Sequence, residues 1–160
     1  MHLFTDCSVA PQTRSGIGGY LYLEDLNEVS ADSIQLKSFE NVSCTELELR
    51  TLLWALNSLE YRGKALKVYT DSQNITGLLN RRQRLEQKEF RNASGKVLKH
   101  AEIYREFYQL ADELNFEVIK VRGHCRKSEK TDLERIFSVS WIVPLERSCG
   151  GRLKNILSIE

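Results

Sequence analysis

The first quarter of the chain contains three segments with strand-like patterning, and the loops between them are too short to hold a helix. The three segments are residues 2–10, 16–25 and 32–41. In the second segment, Tyr20 and Tyr22 fall on one face, as the two-residue period of a strand requires. Consecutive strands joined by short loops usually pair antiparallel. These residues therefore predict a three-stranded antiparallel meander.

An amphipathic helix follows the meander directly. Leucines recur at helical spacing across residues 43–60, and Ser43 with Glu46 forms a capping box that sets the start of the helix. Trp54, set among these leucines, is predicted to lie in the core. Strand and helix patterns then alternate, at residues 64–70, 72–80, 100–114, 116–123 and from about 129 onward. This order predicts an α/β fold in which helices flank a mixed five-stranded sheet.

The size and charge of the chain restrict the kind of protein it can be. Its 160 residues suit one core, and we expect a domain over residues 1–139 followed by a tail at 140–160 whose pattern is less regular. The formal net charge of +1 excludes strong whole-chain attraction to nucleic acid or membranes. Four cysteines without a CxxC pair, no signal peptide and no long apolar run predict a cytoplasmic protein with reduced thiols and no membrane partner.

Two aspartates stand at the ends of predicted strands. Asp6 lies near the end of the first strand, and Asp71 follows the fourth directly. If these strands are neighbours, the two carboxylates converge at one edge of the sheet, where they need cations between them to stay ionised. Divalent ions with oxygen ligands meet that need and suit phosphodiester hydrolysis. The alternative is that Asp71 is a turn residue that caps the next helix, and one side chain could do both.

Glu46 and Glu48, near the start of the long helix, are the next candidates, and only one of them can face the sheet. Positions two apart on a helix differ by about 200° of rotation. Glu48 falls in the stripe of Leu52 and Leu59, which points toward the sheet. Glu46 falls in line with Arg50 and already serves the capping box. The pattern therefore favours Glu48 as the site residue.

A further acid is expected after the fifth predicted strand, where His124 opens a basic loop. Thr131 and Glu134 form a second capping box, which places Asp132 in the first turn of the last helix. The simpler explanation of Asp132 is that its carboxylate complements the helix dipole. Glu129 and Glu134 are the alternatives, but Glu134 already serves the cap.

Four stretches, FTDCS, ELRTLLWAL, YTDSQ and VRGH…TDLERIF, resemble the successive motifs of type 1 ribonuclease H, from about residue 2 to 139. The resemblance implies the ribonuclease H fold, a five-stranded mixed sheet in the strand order 3-2-1-4-5. It also implies a monomeric endonuclease that hydrolyses the RNA strand of RNA–DNA hybrids and leaves 5′-phosphate and 3′-hydroxyl ends.

The same resemblance assigns roles to individual residues. Asp6, Glu48, Asp71 and Asp132 match the acids that hold two Mg²⁺ ions, for which Mn²⁺ can substitute. His124 matches a histidine that assists proton transfer or product release, although a lone histidine is more often structural. These five residues form the predicted catalytic set.

Substrate contacts are predicted from a basic segment and from residues beside the acids. Residues 81–99 carry seven basic side chains against two acidic ones, and they resemble the handle with which the family grips a hybrid; the alternative is a solvated helix face. Gln73 matches a residue that contacts the RNA strand, and Cys44 and Thr45 take the positions of two asparagines common in the family. The basic residues are Arg81, Arg82, Arg84, Lys88, Arg91, Lys96 and Lys99.

Two rival functions use the same fold. One is a non-catalytic module that binds hybrid or duplex nucleic acid, and loss of one of the acids would favour it. The other is a different metal-dependent nuclease of the superfamily, which usually lacks the handle and the histidine loop. The sequence retains all of these features. A separate hypothesis is that Cys7, Cys44 and Cys125 lie near the metals and let a soft ion such as Zn²⁺ inhibit the site.

Overall fold

The computed structural model describes residues 1–10, 12–26, 34–60, 63 and 65–121. The strands within them are β1 (His2–Ala10), β2 (Ser15–Leu23), β3 (Ile34–Phe39), β4 (Leu66–Thr70) and β5 (Phe116–Lys120). The helices within them are α1 (Cys44–Ser58), α2 (Gln73–Thr76), α3 (Leu78–Gln87) and α4 (Ala101–Leu114). The predicted last helix, the tail at 140–160, and His124, Cys125 and Asp132 lie outside the described residues.

The strands form one mixed sheet in the order β3-β2-β1-β4-β5, which confirms the predicted sheet. The meander β1–β2–β3 is antiparallel, whereas β4 runs parallel to β1 and β5 runs parallel to β4. Phe4 lies opposite Tyr69 in the β1–β4 register. Asp71 follows the carboxyl end of β4, as predicted, whereas Asp6 lies in the middle of β1, which continues to Ala10, and not near the strand's end as predicted. The parallel pairing of β1 with β4 ends at Phe4, two residues before Asp6.

α1 and α4 pack on one face of the sheet through apolar stripes. Leu49, Leu52 and Leu56 of α1 are almost completely buried, and Phe107 of α4 belongs to the same cluster, together with Leu3 of β1. Full burial of a leucine side chain contributes about 1.5–3 kcal/mol relative to exposure. The position of α1 against β1 and β2 is therefore strongly held, and with it the position of any site residue on the first turns of α1.

The opposite face of the sheet carries its own core. Phe4, Leu21 and Tyr69 are buried there with Val121, so neighbouring residues of β1 point to different cores, as the alternation of a strand requires. The rings of Phe4 and Tyr69 stack with centroids 4.6 Å apart. In the part of the chain that the structure describes, no helix is long and apolar enough to cross a membrane.

The single helix predicted over residues 72–80 is two helices. Ser72 caps the one-turn helix α2 by accepting a hydrogen bond from the Ile75 N–H at 3.3 Å, and Gly77 separates α2 from α3. α3 then continues to Gln87, well into the basic segment. Leu78 at its start is buried in the core and Leu85 packs against that core, whereas Leu79 is exposed.

Trp54 is half-buried rather than a core residue, which corrects the prediction from its leucine neighbours. Its ring meets Tyr20 edge-on at 4.8 Å, and the Lys37 ammonium lies 5.5 Å from its centroid. The reason is that Trp54 packs near the edge of the sheet, beside β3. The side chains of this edge strand are mostly exposed, so one side of the indole stays open to solvent.

Candidate active site

Asp6 and Asp71 reach the same cavity from two different strands. Asp6 lies within β1, and Asp71 follows the last residue of β4. The cavity has a volume of about 120 Å³, and its lining includes Thr5 of β1 and Thr70 of β4. Glu48 of α1 lines it as well. The structure thus brings together three of the four predicted acids, each from a different element.

The two glutamates at the start of α1 have different bonding partners. Ser72 Oγ donates to Glu48 Oε2 at 2.6 Å, and the Cys44 thiol donates weakly to Oε1 at 3.6 Å. Glu46 instead pairs with Arg50 at 2.9 Å, while its N–H donates to the Ser43 hydroxyl that caps the helix. Glu48 therefore faces the cavity and Glu46 does not, in agreement with the helical-face argument.

The two cysteine thiols beside the cavity have raised pKa values. The pKa of Cys7 is strongly raised, first by burial and then by the charges of Asp6, Glu48, Cys44 and Asp71. The pKa of Cys44 is raised too, by burial and by Glu48. Burial and the neighbouring carboxylates thus favour the protonated form of both thiols at neutral pH.

The donor set suits a hard divalent cation, although the described residues do not form a complete metal cage. Carboxylate oxygens are the ligands that Mg²⁺ and Mn²⁺ prefer. The buried hydroxyl of Thr51 on the same cavity has no hydrogen-bond partner, which leaves a polar atom for water or a ligand to satisfy. Among the described residues, however, no three or more His, Cys, Asp or Glu side chains are grouped closely enough to hold a metal ion. Asp6 Oδ1 instead accepts a hydrogen bond from the Cys7 N–H at 2.8 Å.

Three predicted RNA contacts lie at helix starts close to these carboxylates. Cys44 and Thr45 begin α1, in the turn before Glu48, and Gln73 is the first residue of α2. Cys44 and Gln73 are exposed, and Thr45 is partly exposed. All three can therefore meet a strand that lies over the cavity.

The seven basic residues of the predicted handle fall into two groups. Arg81 donates to the Asn74 side chain and to the Gly77 carbonyl, and Arg82 makes two hydrogen bonds with Asp112 of α4, at 2.5 and 2.7 Å. Arg91 bonds the carbonyl of Gly95 in its own loop. These three arginines hold the segment to itself and to α4. The other four are exposed and have no partner in the part of the chain that the structure describes; they are Arg84, Lys88, Lys96 and Lys99.

Phe90 anchors the basic loop that follows α3. It is 7% exposed and packs beside Tyr108 of α4, with the Arg105 guanidinium 4.6 Å from its ring centroid. Its carbonyl accepts a hydrogen bond from the Leu98 N–H at 2.7 Å, which closes the loop. The loop is therefore held in a fixed place relative to the sheet.

Ser72 and Thr51 line or border the site and were not predicted. The sequence signal for Ser72 was its place as a helix cap directly after Asp71. The signal for Thr51 was a polar residue three positions after Glu48, inside an otherwise leucine-rich stripe. Neither signal shows which partner the hydroxyl meets, because that partner lies on another element.

A family model described as RNase H matches residues 1–133 of the chain. No curated protein matches the chain. A solved structure of a foamy viral protease-reverse transcriptase in complex with dsDNA is similar, with 12% sequence identity and a TM-score of 0.62, over 84% of this chain and 89% of that chain. Another, in complex with RNA/DNA hybrid, has 12% identity and a TM-score of 0.57 over 75% of this chain, which spans only 16% of that one.

At such low identity these two structures demonstrate the fold alone. They agree with the sheet order β3-β2-β1-β4-β5 found here. The family match is independent of them and extends over most of the sequence, from the meander through the segment that contains the fourth predicted acid. The chain belongs to the RNase H family.

Proposed function

We propose that the chain is a metal-dependent endonuclease that cleaves the RNA strand of RNA–DNA hybrids and leaves 5′-phosphate and 3′-hydroxyl ends. The observation that carries the proposal is that Asp6, Glu48 and Asp71, from three separate elements, line one cavity in a member of the RNase H family. The three side chains supply carboxylate oxygens to one cavity, and such oxygens are the ligands that Mg²⁺ and Mn²⁺ prefer.

Asp6, Glu48, Asp71 and Asp132 would hold the cations in this proposal. When bound, two Mg²⁺ ions, or Mn²⁺ in their place, would activate the attacking water and stabilise the leaving 3′-oxygen. His124 would take up or release the proton at the attacking or leaving oxygen, which its near-neutral pKa range suits. The protonated thiols of Cys7 and Cys44 add no negative charge to the carboxylates.

Binding of the hybrid would divide between the handle and the edge of the cavity. The exposed cations of the handle would contact phosphates, which gives affinity without sequence preference. Gln73, Thr45 and Cys44 would contact the RNA strand next to the carboxylates, where 2′-hydroxyl groups distinguish RNA from DNA. The cations in question are Arg84, Lys88, Lys96 and Lys99, because the three arginines of the handle already have partners within the protein.

A cleavage assay on a panel of nucleic acids tests this function. Labelled RNA–DNA hybrid, double-stranded RNA, single-stranded DNA and double-stranded DNA are incubated with Mg²⁺ or with EDTA, using the parent protein and Asp71→Asn. We expect cleavage of the hybrid alone, only with Mg²⁺, and a loss of more than 100-fold in Asp71→Asn. Unimpaired cleavage by Asp71→Asn, or cleavage of DNA alone by the parent, would refute the proposal.

A hybrid-binding module without catalysis is the second candidate. It is favoured by the finding that the described residues contain no group of three close enough to hold a metal ion. In that case the parent would bind hybrid equally well with EDTA and with Mg²⁺ and would cleave none of the four substrates. The same protein samples, run on a sizing column, would test whether the chain is a monomer, as the proposed enzyme is.

A further inference from the structure

The hydroxyl of Ser72 both accepts and donates a hydrogen bond. It accepts from the Ile75 N–H at 3.3 Å and donates to Glu48 Oε2 at 2.6 Å. The Ser72 N–H donates in turn to the Thr70 hydroxyl at 3.2 Å. The residue is 5% exposed, so water does not compete for these bonds. One residue thus joins the start of α2 and the glutamate of α1 through its side chain, and the end of β4 through its backbone N–H.

The direction of the bond to Glu48 is fixed by this network. The Ile75 N–H can only donate, so it occupies a lone pair of Ser72 Oγ and leaves the hydroxyl hydrogen for the carboxylate. A separation of 2.6 Å is typical of a charge-assisted bond from a hydroxyl to an ionised carboxylate. Ser72 therefore holds Glu48 Oε2 in one place.

The two oxygens of Glu48 are consequently unequal. Oε2 has the short bond from Ser72, whereas Oε1 has only the weak thiol contact from Cys44 at 3.6 Å. A thiol is a weak hydrogen-bond donor, so a metal cation can readily take its place at Oε1. Oε1 is thus the oxygen that can turn to a cation without breaking the bond that orients the side chain.

We infer that Ser72 is a positioning residue: it orients Glu48 so that Oε1 binds the divalent cation. The inference rests on the proposed function only in assigning a cation to this cavity. Hydrogen bonds that orient a metal ligand are worth about 10- to 100-fold in metal affinity. Because Ser72 directly follows Asp71 in the chain, the same bond links the residue next to Asp71 with Glu48.

Titration of Mg²⁺ into the full chain by calorimetry, without nucleic acid, tests the inference. Ser72→Ala removes both the helix cap and the donor to Glu48. Ser72→Gly removes the donor, but glycine caps helices almost as well as serine, so that variant keeps its stability. Ser43→Ala is the matched control, since Ser43 caps α1 through an equal 3.3 Å bond and donates to no carboxylate in the part that the structure describes.

We expect Ser72→Ala and Ser72→Gly to weaken Mg²⁺ binding by about 10- to 100-fold. Ser43→Ala should lower the melting temperature about as much as Ser72→Ala and leave Mg²⁺ affinity unchanged. Mg²⁺ affinity within twofold of the parent in Ser72→Gly would overturn the inference. An equal loss of affinity in Ser43→Ala, or a parent that binds no Mg²⁺ at millimolar concentration, would overturn it as well.

The failures of this inference and of the proposed function are distinguishable. If the parent binds Mg²⁺ more tightly than Ser72→Gly but cleaves no hybrid, the role of Ser72 stands and the function fails. If the parent cleaves hybrid and Ser72→Gly binds Mg²⁺ normally, the function stands and the role of Ser72 fails.

Discussion

At the scale of single residues, helical geometry determined which acid of α1 faces the sheet. Glu48 and Glu46 are two positions apart, and their environments differ accordingly: Glu48 lines the cavity, whereas Glu46 forms an ion pair with Arg50 and does not line it. The spacing was visible in the sequence. The bond from Ser72 to Glu48 was not, because the two residues are 24 positions apart and meet only when α1 packs on the sheet.

Replacing each of these glutamates by glutamine tests Glu48, the proposed metal ligand, against Glu46, which pairs with Arg50. Glu48→Gln removes the charge from the cavity, and we expect hybrid cleavage to fall by more than 100-fold. Glu46→Gln loses only the ion pair with Arg50, because the N–H that bonds Ser43 belongs to the backbone. A pair four residues apart on a helix contributes about 0.2–0.5 kcal/mol to the free energy of unfolding. Cleavage rates and urea unfolding of both variants provide the measurement.

The opposite pattern would contradict the helical-face argument. It would be a Glu46→Gln variant that cleaves poorly despite normal stability, together with a Glu48→Gln variant that retains activity. Equal small effects in both would place the chemistry elsewhere in the molecule.

At the scale of elements, the basic segment is one structural unit with two kinds of side chain. The predictions treated its seven cations alike, as phosphate contacts. The fold commits Arg81, Arg82 and Arg91 to partners inside the protein. The sequence could not reveal this, since Asp112 lies thirty residues beyond Arg82 and reaches it only through the packing of α4 against α3.

The elements themselves were more predictable than their ends. The sheet order agreed with expectation, and the start of α1 agreed because Ser43 caps it as the capping box predicts. The helix over 72–80 was predicted wrongly as one piece. Its apolar positions continue across Gly77, so periodicity alone does not reveal the break between α2 and α3.

Phe90→Ala tests whether anchoring of the loop controls hybrid binding. Phe90 is 7% exposed, and replacing a buried phenylalanine by alanine lowers the free energy of unfolding by about 3–5 kcal/mol. We expect this loss of stability together with weaker binding of hybrid, because the loop that carries Lys96 and Lys99 loses its attachment. Urea unfolding measures the loss of stability. Fluorescence anisotropy with labelled hybrid, without urea, measures the affinity of the folded protein.

Val97→Ala is the control for the Phe90 variant. Val97 lies in the same loop but is 52% exposed, so its truncation should change stability by less than about 0.5 kcal/mol. Unchanged hybrid affinity in a folded Phe90→Ala protein would show that the loop does not need its anchor to contact nucleic acid.

At the scale of the whole molecule, charge is segregated rather than abundant. The net charge is only +1, yet three carboxylates line the cavity and four exposed cations cluster on α3 and the loop after it. Long-range attraction to a polyanion is therefore weak, and under the proposed function affinity for a hybrid would come from the few cations that contact phosphate. Binding should accordingly respond to where a charge is removed more than to how many charges are removed.

Two double variants with equal net charge test this dependence on position. Lys88→Ala with Lys96→Ala removes two handle cations, whereas Lys37→Ala with Lys67→Ala removes two exposed lysines from β3 and β4. Each contact with a phosphate adds about 0.9 to the slope of log affinity against log salt concentration. In an Asp71→Asn background that does not cleave, we expect the handle variant to reduce that slope by roughly 2 and the sheet variant to leave it unchanged. Equal reductions in both would mean that net charge, rather than the handle, governs binding.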